Sequence, residues 1–170
     1  MDESLSEPKR PIWRGEAALA LAAIINSFGV VLMLYSGSGI SAISSVPFAF
    51  SEVCPSLSLG TWTYIFQGIL VLSLMVLRRR FVPQYLFSFV VGFVFGELID
   101  LHEQWISILP RHFVCRIFYF VMSYLLISFG IALSNRCHLP IIPTDLFPRE
   151  LAQIIHIRYS IIKISFDVIC

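Results

Sequence analysis

Four charge-poor runs, residues 16–35, 61–77, 81–98 and 113–134, constrain this chain more than any other feature in it. Each is close to the roughly 17–25 residues that an α-helix needs to cross the hydrocarbon core of a bilayer. Each is apolar all round, whereas the helices of a soluble bundle keep a polar face. Composition agrees: 57% of the 170 residues are hydrophobic, 14% are charged and the mean hydropathy is +0.81, against roughly 25% charged in soluble domains. The expected fold is therefore all-α and polytopic, with the lipid bilayer as its first partner. The leading run is long, lacks a cleavage signature and is followed by further spans, so it is expected to stay on the chain.

Ser27-Phe28-Gly29-Val30-Val31-Leu32 returns as Ser128-Phe129-Gly130-Ile131-Ala132-Leu133, and the offset of 101 from 27 to 128 also relates Ile40 to Ile141 and Pro47 to Pro148. Both copies close an apolar run and open a polar, proline-bearing one. Duplicated halves in so apolar a chain point to a transporter-like fold whose working site lies at the repeat junction.

Direction follows from the positive residues, which are retained on the cytoplasmic side. Lys9, Arg10 and Arg14 precede the first span, Arg78, Arg79 and Arg80 join the second to the third, and Arg136, Arg149 and Arg158 follow the fourth. Residues 36–60 hold no Lys or Arg, and the second outer loop holds only Arg111, with Arg116 long enough to snorkel. The N-terminus is thus expected in the cytoplasm. With three spans between them, the two copies run in opposite directions as an inverted three-span repeat.

The same offset predicts counterparts of the second and third spans at about 162–178 and about 182–199. The sequence ends at Cys170, and residues 157–170 have the character of the first part of a fifth span. The expectation is four full transmembrane helices plus an incomplete fifth, as in a truncated product; the alternative is a peripheral C-terminal helix and no repeat. The corresponding divisions are a disordered cytoplasmic tail (1–15), a first repeat (16–98), an outer connecting loop (99–112) and an incomplete second repeat (113–170).

Inverted-repeat transporters place solute and ion sites where broken helices expose backbone dipoles. Here the interrupted segments are 36–60 and the stretch after Ser134. Gly37, Gly39 and Pro47 in one, and Pro140, Pro143 and Pro148 in the other, are the expected breakers. Ser38, Ser41, Ser44, Ser45, Thr144 and Asp145 supply ligand oxygens. Both segments read equally as ordinary extramembrane loops rich in turn residues.

Glu97, Asp100, His102 and Glu103 form an acidic group, with Glu97 and Asp100 on one helical face. Carboxylates at membrane depth mark ion or proton pathways; at a helix end they simply meet water. Asn26 and Gln67 either line a solute path or hydrogen-bond between helices. Lys163 and Asp167, four residues apart, are expected to neutralise each other. The alanines of the first span (Ala17, Ala18, Ala20, Ala22, Ala23) allow close packing, within the fold or against a partner in a homo-oligomer or membrane complex.

Other chemistry finds little support. Net charge +1 offers no basic stripe for nucleic acid. Cys54, Cys115, Cys137 and Cys170 lack metal-binding spacing and are expected to pack as small hydrophobes. Neither a metal site nor a cofactor is expected. Ser38 between two glycines has no histidine base in a later span, and no catalytic motif is present, so enzyme activity is not expected.

The segments SFGVVLMLYSGSGISAISSVPFAFSEV, SLGTWTYIFQGILVL, RRRFVPQYLFSFVVGFVFGELID and SFGIALSNRCHLPIIPTDLFPRELAQI resemble the YczE/YyaS/YitT family of bacterial integral membrane proteins, especially its shorter members. The resemblance runs from about residue 16 to the end. It implies a six-span protein of the bacterial plasma membrane with a transport or membrane-accessory role. The expected function is transport of a small solute or ion by alternating access. The alternative is a non-transporting membrane subunit, such as the substrate-capture component of an importer.

Overall fold

The structure is a computed structural model that describes residues 12–79, 82–136 and 142–170. These form seven helices: α1 (Ile12–Ser36), α2 (Ala42–Val53), α3 (Leu59–Arg78), α4 (Pro83–Ile106), α5 (Phe113–Arg136), α6 (Pro143–Ile155) and α7 (Tyr159–Ile169). No strand occurs among the described residues. Helices α1, α3, α4 and α5 fall on the four apolar runs and are long and apolar enough to cross a membrane. The chain is a multi-pass membrane protein in architecture. Most of the expected N-terminal tail, with Lys9 and Arg10, lies outside the described residues, as do Arg80, Cys137, Pro140 and Ile141.

Two sequence expectations change. First, α4 does not end near Leu98. Pro83 sits in its opening turn, where a missing N–H costs nothing, and no proline follows until Pro110. The helix runs on to Ile106, so Glu97, Asp100, His102 and Glu103 sit on it and the connection shrinks to residues 107–112. Second, Pro47 and Pro148 do not break helices. Each lies buried inside one, in α2 and α6 respectively. The break after α1 is made at Gly37, whose positive φ of 63° continues the chain past the helix end while its N–H donates to the Leu34 carbonyl at 3.0 Å.

Helix α1 is central, packing on α5 and α4; α3 packs on α4, α2 on α3, α6 on α3 and α4, and α7 on α6 and α2. Helices α1 and α5 run antiparallel. At the Ser36 end, Arg116 Nε donates to the Ser36 carbonyl at 2.6 Å and the Tyr35 ring meets that of Tyr119, tilted, at 6.2 Å. Two turns deeper, a Cβ on Gly29 would lie 2.7 Å from the Ile127 side chain. Deeper still, a Cβ on Gly130 would overlap the Asn26 amide. Bare glycine surfaces therefore let the two backbones touch, the usual means of helix association where hydrocarbon supplies no hydrophobic drive.

The α3–α4 pair closes in the same way. A Cβ on Gly60 would sit 2.1 Å from the Gly96 carbonyl oxygen, and one on Gly96 would sit 2.7 Å from the Gly60 carbonyl. Phe28 of α1 stacks on Trp105 of α4 at 5.5 Å and meets His102 at 5.4 Å, fixing α1 against the far end of α4. Two pairs of helix starts share a spacing: Ala42 to Pro143 is 101 residues and Leu59 to Tyr159 is 100.

Gly60→Ala must push two backbones apart, and it is expected to lower stability in detergent by about 1–3 kcal/mol. Gly68→Ala meets only the edge of the Phe89 ring, at 3.1 Å, and is expected to cost clearly less. Unfolding by increasing denaturing detergent, followed by circular dichroism, compares the two; equal effects would mean that the α3–α4 crossing is looser than described.

Candidate functional site

Helix α6 packs against the α3–α4 pair. Its residue Glu150 meets the Arg78 end of the α3–α4 pair, accepting from Tyr85 Oη at 2.5 Å and pairing with Arg78 Nη2 at 2.6 Å. Its first residue, Pro143, lies much deeper. The point where Gly92 would carry a Cβ is 3.1 Å from Pro143 Cδ and overlaps Gln67 Oε1. Gln67 is the ninth of 20 residues in α3 and Gly92 the tenth of 24 in α4. The α6 N-terminus therefore reaches mid-length of two spanning helices and then turns back toward Arg78, as a re-entrant half-helix does.

The chemistry at this point is neutral and polar. Gln67 is 1% exposed, and its Oε1 has no hydrogen-bond partner among the described residues. The same holds for the fully buried Ser88 hydroxyl, one turn from Gly92 on α4. In the first turn of α6, Pro143 has no N–H, while those of Asp145 and Leu146 both fold back to the Ile142 carbonyl, at 2.9 and 3.1 Å. The Thr144 carbonyl lacks an i+4 donor, because that donor would be Pro148. A buried, unpaired polar group costs about 1–3 kcal/mol. Of these groups, Gln67 Oε1 lies against the start of α6.

Beside it lies an ionic group. Lys163 Nζ of α7 stands 3.7 Å from Asp145 Oδ1 of α6 and 3.2 Å from Asp167 Oδ1, one turn further along α7. The expected Lys163–Asp167 pair is present, with Asp145 as a third member that the sequence did not place there. Asp145 keeps 32% of its side-chain surface accessible.

The remaining candidates are dispersed. Asn26 is buried on Gly130 at the α1–α5 crossing, its Oδ1 unpartnered among the described residues. Ser38 lies exposed after α1, its N–H on Ser36 Oγ at 3.2 Å. Ser41 precedes α2 and donates to Ser44 Oγ at 2.9 Å, and Pro47 is buried inside that helix. Ser45 Oγ reaches the Cys170 carbonyl at 2.6 Å, joining α2 to the end of α7. Glu97 faces outward in an open groove along α4 with Phe93, Val94, Leu101 and Gln104. Cys54, Cys115 and Cys170 are free thiols.

Asp100 caps α3. Its Oδ1 accepts from the Gly60 N–H at 2.7 Å and its Oδ2 from Ser58 Oγ at 2.5 Å, while Ser58 Oγ accepts from the Thr61 N–H at 3.1 Å. A carboxylate on first-turn N–H groups is well placed in the helix dipole. Among the members of the acidic group, Asp100 thus has a structural account and Glu97 does not. Asp100→Ala is expected to destabilise the protein by about 1–2 kcal/mol, and Glu97→Gln by less than about 0.5 kcal/mol. Thermal unfolding in detergent separates them; equal losses would mean that the cap contributes nothing.

Neither a curated protein nor a solved structure matches the chain. A family model does match, over residues 13–170, and so takes in every described helix but the first residue of α1. The chain belongs to the family described as "Family of unknown function (DUF6198)".

Proposed function

We propose that this protein transports a small solute or ion by alternating access of two inverted units, α1–α3 and α5–α7. The observation that carries this reading is the α6 N-terminus at mid-length of α3 and α4, with the unpartnered Gln67 side chain against it and the buried, unpartnered Ser88 hydroxyl one turn from Gly92 on α4. Broken helices ending near the midplane are how membrane proteins expose backbone dipoles to a solute without exposing them to lipid.

The inverted repeat is supported by more than the spacing of helix starts. Under the 101-residue offset, the α2–α3 contact has its counterpart in α6–α7, and the α3–α6 contact in α7–α2; all four are present. The α1–α5 contact maps onto itself. There Gly29 rests on Ile127 and Gly130 on Asn26, and residues 26 and 127 are themselves one offset apart. Such reciprocity, in which i meets j and j meets i, is the mark of a two-fold axis.

Gln67, Ser88 and Thr144 are the residues proposed to meet the solute, and the α6–α7 pair is the element proposed to move. Arg78, Arg79, Arg149 and Arg158 would face the cytoplasm of a bacterial cell with the N-terminus on the same side. The resemblance to YczE/YyaS/YitT proteins fits this placement, and a pathway rather than a catalytic centre is proposed.

Reconstituted vesicles loaded with a broad panel of labelled solutes supply the test. Gln67→Leu is expected to slow movement of the responsive solute by roughly tenfold, the equivalent of one hydrogen bond, while Glu97→Gln stays within about twofold. Full activity in Gln67→Leu, or no movement of any solute by the parent protein, would overturn the proposal.

A further inference from the structure

We infer that Glu150 is the latch of a gate at the Arg78 end of the molecule, holding α6 closed over a buried polar track that leads to Gln67. The inference takes from the transport reading that the α6–α7 pair moves. One carboxylate ties three helices. Glu150 of α6 accepts from Tyr85 Oη of α4 at 2.5 Å and pairs with Arg78 Nη2 of α3 at 2.6 Å, and the Arg78 guanidinium lies 5.9 Å from the centre of the Tyr85 ring. Only 15% of the Glu150 side chain is accessible, and Tyr85 is 2% exposed. Hydrogen bonds to an ionised carboxylate are the strong ones, and both of these are lost together if that carboxylate is removed.

Beneath the latch, α6 follows one buried face of α4, from Tyr85 at its Glu150 end to Gly92 at its Pro143 end. Positions 85, 88 and 92 are spaced three and four apart, so Ser88 sits on that same face, one turn from each. The buried Ser27, Ser36 and Ser123 hydroxyls each donate to a carbonyl three residues back. Ser88 does not: its hydroxyl is fully buried and has no partner among the described residues, as is true of Gln67 Oε1 beside Gly92. A permanently sealed helix contact gains nothing from such groups, which cost about 1–3 kcal/mol each while they stay dry. Separation of α6 from α4 at the latch would let water reach them in turn, Ser88 first and Gln67 after it.

The opposite end has no equivalent tie. Under the 101-residue offset Glu150 corresponds to Ala49 of α2, which has no side-chain acceptor. Among the described residues no ion pair joins α2 to another helix. A cavity of about 200 Å³ lies at that end instead, lined by residues that include Leu34, Phe48, Glu52, Leu59 and Glu103. The conformation described is thus the one closed at the Arg78 end.

Thiol labelling reads the gate without reference to any solute. The full chain, with its four native cysteines replaced by alanine, carries either Ser88→Cys or Thr144→Cys, and a membrane-impermeant maleimide is applied to vesicles of each orientation. Labelling from the Arg78 side is expected to be slow in the parent and at least about tenfold faster with Glu150→Gln. Tyr85→Phe, which removes one hydrogen bond and keeps the ring, is expected to give roughly a threefold rise. Ser123→Cys, fully buried beside Gly29, reports general loosening and is expected to stay unlabelled in all of them. The inference is overturned if Glu150→Gln leaves both reporters within about twofold of the parent rate, or if it speeds Ser123→Cys equally. Faster labelling in a protein that moves no solute would keep the latch and lose the transport reading; solute movement with unchanged labelling would do the reverse.

Discussion

Two glycines set the distance on which the rest of the fold depends. Gly29 and Gly130 face the opposite helix where α1 and α5 cross, and a methyl group at either position would occupy space already filled by Ile127 or Asn26. In water, hydrophobic burial would tolerate a looser contact. In hydrocarbon it does not act between helices, so close van der Waals contact must do the holding. With that crossing fixed, the Arg116–Ser36 hydrogen bond and the Tyr35–Tyr119 contact follow at one end. On its other side α1 receives α4 through Phe28, His102 and Trp105.

The second constraint is the cost of unpaired backbone inside a bilayer. Helix α6 begins with a proline and carries another five residues later, so the Thr144 carbonyl forgoes the helical hydrogen bond that an N–H at position 148 would have donated. At a water-facing helix end this costs little. At mid-length of α3 and α4 it persists only because protein surrounds it: Ile142, Pro143, Thr144, Leu146 and Pro148 are all buried. Gly92 opens just enough room for the Gln67 amide to lie against the same turn. The tight packing that makes the re-entry tolerable also gathers polar atoms without partners.

Much of the framework was legible in the residues. Long charge-poor runs can do little in a membrane except span it, which is why four helices matched four runs. The six-residue echo carried the offset that the helix starts then followed. What escaped depends on tertiary contact. Pro47 and Pro148 look like breakers in sequence, yet a proline within a helix is tolerated where neighbouring elements enclose the freed carbonyl. Asp100 resembled a pathway carboxylate because its partners, Ser58 and the Gly60 N–H, lie some forty residues earlier. Asp145 gave no sign of Lys163, which belongs to another helix. The Glu150 contact with Arg78 and Tyr85 was equally hidden.

Under the proposed repeat, the scaffold is symmetric but its charges are not. The 101-residue offset pairs Asp145 with Ser44, Lys163 with Trp62 and Asp167 with Phe66. The α2–α3 half thus places a hydroxyl and two aromatic rings where the α6–α7 half places three ionisable groups. If the two halves exchanged conformations by rocking, their backbones would pass through equivalent arrangements. The electrostatic cost would still differ, because only the α6–α7 half carries ionisable groups past the apolar middle, and two arrangements of similar packing energy would then differ in where those charges stand.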